Sequence, residues 1–265
     1  MSAPVHVGVE GIGVWSAEMP NWDVGRDMLC GKMDNMAAAA PRPAPSLLAP
    51  TERRRAQQAV LLAIDAAQQA CAMAGRDPRD LPNVFASAYG DLEINDYLCA
   101  TLAREPNDMS PTKFHNSVHN APAGYWSIAT GCMASSTALS AGAATFGAGL
   151  LEAALFAQSE SCAVLLTAYD ITATGALADV VPSRAALAVA LVLAPPSQRA
   201  IARLLLQPER CAVDLAPETD VLHASYRGNP AARGLPLLTA LAQRTPATQL
   251  LAAGVALNLR MEILF

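Results

Sequence analysis

Apolar positions along this chain change period several times, and each change predicts an element. Val5, Val7 and Val9 alternate with other residues, which predicts a strand over 5–14 running into a glycine turn at Gly11 and Gly13. From Thr51, read as an N-cap, the run ERRRAQQAVLLAIDAAQQACAMAG places Ala59, Leu62, Ala63, Ala66, Ala70 and Met73 at helical spacing and stops at Gly75. This predicts one long helix with one buried face and with Arg53 to Arg55 at its solvated start. NVFASAYGD (83–91) reads as a short buried strand stopped by Gly90, 92–104 as a helix, and SPTKF (110–114) as a break. Helices are expected over 116–130, with Pro122 near the start, over the almost wholly apolar 143–157, and over 236–243. CAVLLTAYD (162–170) and RAALAVALVLA (184–194) have no polar face, as strands buried on both sides do. A further strand is read at 201–207, and a strand or strand pair at 249–263. The segments 34–50, rich in alanine and proline, and 214–234 read as loops, and GCMASSTAL (131–139) reads as a poor strand.

Strands alternating with helices, some of them apolar on both faces, indicate an α/β layered fold. With 265 residues and no repeats, one compact domain over 1–265 is the economical organisation. Hydrophobic residues make up 52% and charged residues 15%, which excludes a disordered chain. The net charge of −5 argues against nucleic acid or an anionic membrane as main partner. No apolar run reaches the roughly 18 residues that a membrane span needs. The opening MSAPVHVGVEGIGVW lacks the basic head and long apolar core of a signal peptide. The cysteines at 30, 71, 99, 132, 162 and 211 form no C-x-x-C pair and read as free thiols in a reducing cytoplasm, with no disulfide or zinc framework.

The chemistry-bearing motifs are near misses. GVEGIG (8–13) does not fit G-x-G-x-x-G, so no dinucleotide cofactor is expected. His115 and His119 would share a helix face, but Asn116 stands where a zinc enzyme wants its glutamate, and no metal is expected. Ala138-Leu-Ser-Ala-Gly142 approaches a nucleophile elbow at Ser140, with Asp170 and His223 downstream in hydrolase order. Cys132, in SIATGCMASS, is the most tempting nucleophile, because a cysteine at a helix N-terminus gains thiolate character. It would need a histidine partner, and only His223 lies beyond residue 119.

The segment SPTKFHNSVHNAPAGYWSIATG (110–131), with Ser110, Pro111, Asn120 and Gly124 in order, resembles the β-ketoacyl synthases of the thiolase fold. So do the apolar helix at 143–157 and the strand at 162–169 behind it; the opening VHVGVEGIGV, NVFASAYGD and RAALAVALVLA are similar to further strands of that family. The resemblance covers roughly residues 5–195 and implies a thiolase-like layered fold, a mixed sheet packed by helices, equal in essence to the N-terminal half of a synthase. Residues 196–265 are then a divergent, short C-terminal extension that completes the domain.

In the family the nucleophilic cysteine precedes the acidic start of the next strand by about eighteen residues. Counting back from Ser161 reaches Ala143, whereas Cys132 lies 29 residues before it. The neighbours Gly142, Ala144 and Thr145 offer no thiolate either. The later half of a synthase carries two histidines and a lysine; here no lysine follows Lys113. The resemblance therefore implies a non-catalytic chain-length-factor-like subunit. HNAPAGYWSIATG, GLLEA and NPAARGLPLL (229–238) are most similar to truncated forms in aryl polyene and xanthomonadin-type pigment systems. Such a subunit forms a heterodimer with a catalytic β-ketoacyl synthase, meets acyl carrier protein through the complex, and shapes the acyl tunnel. By the same resemblance Thr112, Lys113, Phe114 and His115 face the tunnel or the partner. Cys162, Ala163, Val164, Leu165, Leu166, Thr167, Ala168 and Tyr169 would pair edge to edge with the partner. An active acyltransferase using Cys132, or a serine hydrolase using Ser140, remain the alternatives.

Overall fold

The structure, a computed structural model, describes residues 4–32, 42–210 and 224–265. His223, Cys211 and parts of the expected loops at 34–50 and 214–234 lie outside the described residues. The strands are β1 (Val5–Trp15), β2 (Asn83–Ala86), β3 (Ser136–Leu139), β4 (Val164–Asp170), β5 (Leu187–Ala194), β6 (Ala202–Arg210), β7 (Ala247–Gly254) and β8 (Leu257–Leu264). They form a single mixed sheet in the order β3-β2-β4-β5-β1-β6-β8-β7. β2 runs parallel to both β3 and β4, and the remaining neighbours are antiparallel. The helices are α1 (Trp22–Leu29), α2 (Pro50–Arg55), α3 (Gln58–Ala74), α4 (Leu92–Arg104), α5 (Pro111–His115), α6 (Ala121–Thr130), α7 (Thr145–Ser159) and α8 (Leu235–Gln243). Helices α3 and α6 pack on one face of the sheet, and α1, α7 and α8 on the other. The result is the layered α/β architecture that the alternation of patterns requires.

The glycines of the first strand have a different role from the one their turn propensity suggests. Gly11 and Gly13 stay within β1, and α3 crosses directly above them. A Cβ on Gly13 would stand 1.9 Å from the Ala66 carbonyl oxygen, and one on Gly11 2.1 Å from that of Ala70. Only glycine lets helix and strand backbones approach so closely. A bulge between Val9 and Gly11 turns Glu10 out of the alternation. Its buried carboxylate receives a two-pronged pair from Arg76, at 2.8 and 3.0 Å, and a hydrogen bond from Ser197 Oγ at 3.3 Å.

The long helix expected from Thr51 is broken. Ala56 is extended (φ −66°, ψ 141°) and buried, so the chain turns there and starts again as α3. No Thr51 cap forms: α2 starts at Pro50, and proline is well suited to a first helical position. Asp91 caps α4 by accepting from the Ile94 amide at 2.9 Å. α3 ends where expected, at Gly75 in the left-handed region (φ 60°). Ala59, Leu62, Ala63, Ala66 and Ala70 of the predicted face are buried, but Met73 is 44% exposed, its sulfur lying over the Ile12 amide at 3.3 Å.

The strands β4 and β5 are buried along their whole length, as their patterns require. For β4 the reason differs from the subunit contact implied by the resemblance. It lies inside the sheet, with β2 hydrogen-bonded on one side and β5 on the other. Both backbone edges from Leu165 to Ala168 are therefore occupied, which leaves this central part of 162–169 no free edge for pairing with a second chain. Cys162 and Ala163 precede the strand. The free edges of the sheet are β7 at one end and, at the other, β3, the segment that reads poorly as a strand. β3 forms because β2 supplies a parallel partner, from Asn83 opposite Ser136 to Ala86 opposite Leu139.

Candidate functional site

β3, a short turn and α7 make a strand–turn–helix, and the expected nucleophile position falls in its turn. The turn at Gly142–Ala144 opens with Gly142 at φ 56° and leads into an apolar helix. Ala143 lies in this turn, exposed, and contributes a methyl group. Thr145 follows, but its buried hydroxyl donates to the Gly142 carbonyl at 2.7 Å and accepts the Ala141 amide at 3.0 Å. It closes the helix start and is not available to a substrate.

The two other nucleophile candidates are held elsewhere. Cys132 is 3% exposed and follows Gly131, the left-handed residue that ends α6. It therefore lies beyond a helix C-terminus, whereas thiolate activation uses an N-terminus. Its thiol donates to the Leu81 carbonyl at 3.4 Å, and the Asn83 amide lies 3.8 Å from the sulfur. Ser140 does follow a strand, so that part of the elbow exists. Its hydroxyl donates to the Ala88 carbonyl at 3.2 Å. Asp170 does not serve it. That carboxylate is fully buried at the end of β4 and receives Ser87 Oγ at 2.8 Å, the Tyr89 amide at 3.0 Å and the Ala88 amide at 3.2 Å. Burial nevertheless pushes its pKa up to about 7.

This buried network is what sequence reasoning missed. Ser87 Oγ also accepts the Gly90 amide at 2.9 Å, and His119 Nε2 meets the Ser87 carbonyl at 2.8 Å. The Tyr169 hydroxyl reaches the His119 carbonyl at 3.5 Å, and Asn229 donates to the Asp170 carbonyl at 2.9 Å. One acid thus fixes the loop after β2, which in turn holds Ser140 and His119. The available signal was an aspartate closing an otherwise apolar run. His115 and His119 do not share a helix face: α5 ends at His115, and His119 lies in the turn before α6.

Beside this scaffold lies a partly apolar surface. The carbonyls of Ser135, just before β3, and of Leu139, at its end, accept the amides of Asn83 and Ser87. By alternation the backbone groups of Ser136 and Ala138 point outward, away from β2. Phe114 is 64% exposed, Ile128 84% and Met133 95%. A groove of about 550 Å³ runs between 47–52 and 115–129, lined by Leu47, Leu48, Tyr125 and Ile128 with His115 and Asn116. Of the four residues assigned to the tunnel or the partner, Thr112, Phe114 and His115 are exposed. Lys113 is half-buried, with Nζ 3.7 Å from the centre of the Tyr97 ring.

The match to the model of the β-ketoacyl synthase N-terminal domain runs over residues 30–251. The chain belongs to that family. No curated protein sequence is significantly similar to it. Its fold is shared by a chain from the complex of the ketosynthase ApeO with its chain length factor ApeC from Xenorhabdus doucetiae, with TM-score 0.72 and 18% identity, covering 97% of this chain and 98% of that one. A chain of the ishigamide ketosynthase/chain length factor gives TM-score 0.73 at 13% identity, covering 98% and 99%. A chain of AntDE:AntF, a type II polyketide acyl-carrier protein in complex with its ketosynthase, gives 0.74 at 12%, again covering 98% and 99%. This synthase-family domain is therefore as long as those chains. Among its described residues, no helix is long and apolar enough to cross a membrane. The five cysteines described are free thiols.

Proposed function

We propose that this chain is a non-catalytic, chain-length-factor-like subunit that pairs with a catalytic β-ketoacyl synthase and shapes its acyl tunnel. The observation that carries the reading is a strand–turn–helix whose turn presents only the methyl group of Ala143, next to an open strand edge; we read this turn as the one that holds the nucleophile in active synthases. A scaffold kept without its reactive atom serves assembly, and similar folds in ketosynthase–chain length factor complexes support this. β3, rather than β4, is the edge offered to the partner. Phe114, Thr112 and His115 border the tunnel, and acyl carrier protein reaches this subunit through the complex. The system is a cytoplasmic type II one, of the aryl polyene or xanthomonadin kind.

Co-expression with the cognate synthase should give a soluble 1:1 complex. Intact-mass spectrometry after incubation with acyl carrier protein should find acyl groups on the synthase alone. Acylation of this chain that is lost in Cys132→Ala would overturn the reading.

A further inference from the structure

The tandem arginines after Thr51 do more than solvate a helix start. Arg53 is engaged: its guanidinium donates to the carbonyls of Ala44 and Pro45, both at 3.4 Å. Arg54 and Arg55 are exposed and line a cavity of about 620 Å³ together with Arg42, Gln57, Gln58, Trp15, Ala17, Ala56 and Glu93. Arg42 is oriented by a hydrogen bond to the Ala56 carbonyl at 2.5 Å. Among the described residues, no ion pair involves Arg42, Arg54 or Arg55. The lining thus holds three guanidiniums against the single carboxylate of Glu93, on a chain whose net charge is −5. Neighbouring cations in excess of their counter-charge repel one another, and the break at Ala56 lets them line one concavity.

We propose that this cavity binds the diphosphate group of a small organic ligand. Guanidinium forks match phosphate oxygens two at a time, and more than one fork suits more than one phosphate. Gln57 and Gln58 add neutral donors, and the volume leaves room for an organic moiety beside the phosphates. A nucleoside diphosphate and a coenzyme-A-type thioester share this chemistry. The inference does not depend on the partner role, because the cavity involves neither β3 nor the turn at Ala143.

The test is calorimetric titration of the full chain, or of its complex, with inorganic pyrophosphate at low salt. Saturable binding at one site per chain is expected. It should weaken at least tenfold in an Arg54→Ala/Arg55→Ala variant and several-fold in Arg54→Lys/Arg55→Lys, which keeps the charge and loses the forks. α2 buries no residue, so both variants should keep the wild-type circular dichroism. Competition by ADP and by coenzyme A tells the two organic sources apart. No saturable binding, an unchanged affinity in the alanine variant, or a lysine variant that binds as well as wild type would each overturn the proposal.

Discussion

Asp170 shows how one residue can be both well bonded and costly. Three donors point at its carboxylate, yet removal from water outweighs them and raises its pKa to about 7. In the unfolded chain it would titrate near 3.9. Between those values the folded protein keeps a proton that the unfolded chain has released. The contribution is thus fully present below about pH 4 and is lost as pH rises through 7. Its size is on the order of 4 kcal/mol if the whole shift is realised. Urea unfolding from pH 4 to 8 should show wild-type stability falling relative to Asp170→Asn and levelling above 7. A stability difference between the two that is constant across this range would contradict the assignment. Asp170 and Ser87 were the least legible part of the site, since an aspartate ending a strand carries no spacing rule.

At the scale of elements, the outward backbone of β3 and the exposed ring of Phe114 can be tested separately. Ala138→Pro removes an amide that bonds nothing within the chain, so the isolated protein should retain its circular dichroism. Co-purification with the synthase should fall sharply, because the added strand loses a ladder bond and meets a ring. Phe114→Ala should leave the complex intact and shift the length distribution of its products upward, read by mass spectrometry of released chains; an unchanged distribution would remove Phe114 from the tunnel. Elements with strong periodicity were legible: β4, β5, α4 and the Gly75 stop of α3 fall where their patterns put them. Those set by tertiary contact were not. β3, with its exposed and half-buried residues, is a strand only because β2 lies beside it. α2 and α3 are separate because burial of Ala56 outweighs helix continuity.

For the whole molecule, two open sheet edges, β3 and β7, and several uncovered apolar side chains create an imbalance that a lone chain cannot resolve. Exposed edges and apolar patches of this kind drive association. Size-exclusion chromatography with light scattering should find the isolated chain self-associating, and a defined heterodimer once the synthase is present. An interface burying at least about 2,000 Å² would suit a permanent partner. The layered fold was legible from residue order, because runs apolar on both faces fit only between helical layers. The place of β4 inside the sheet was not, since burial within a sheet and burial between subunits leave the same apolar signature.

The missing side chains at Gly11 and Gly13 have a mechanical consequence. With nothing between the two backbones, α3 has no soft layer on which to slide over β1, so the pair moves as one stiff slab through the middle of the sheet. Whatever pliancy the sheet has is then left to its margins, β3 and β7.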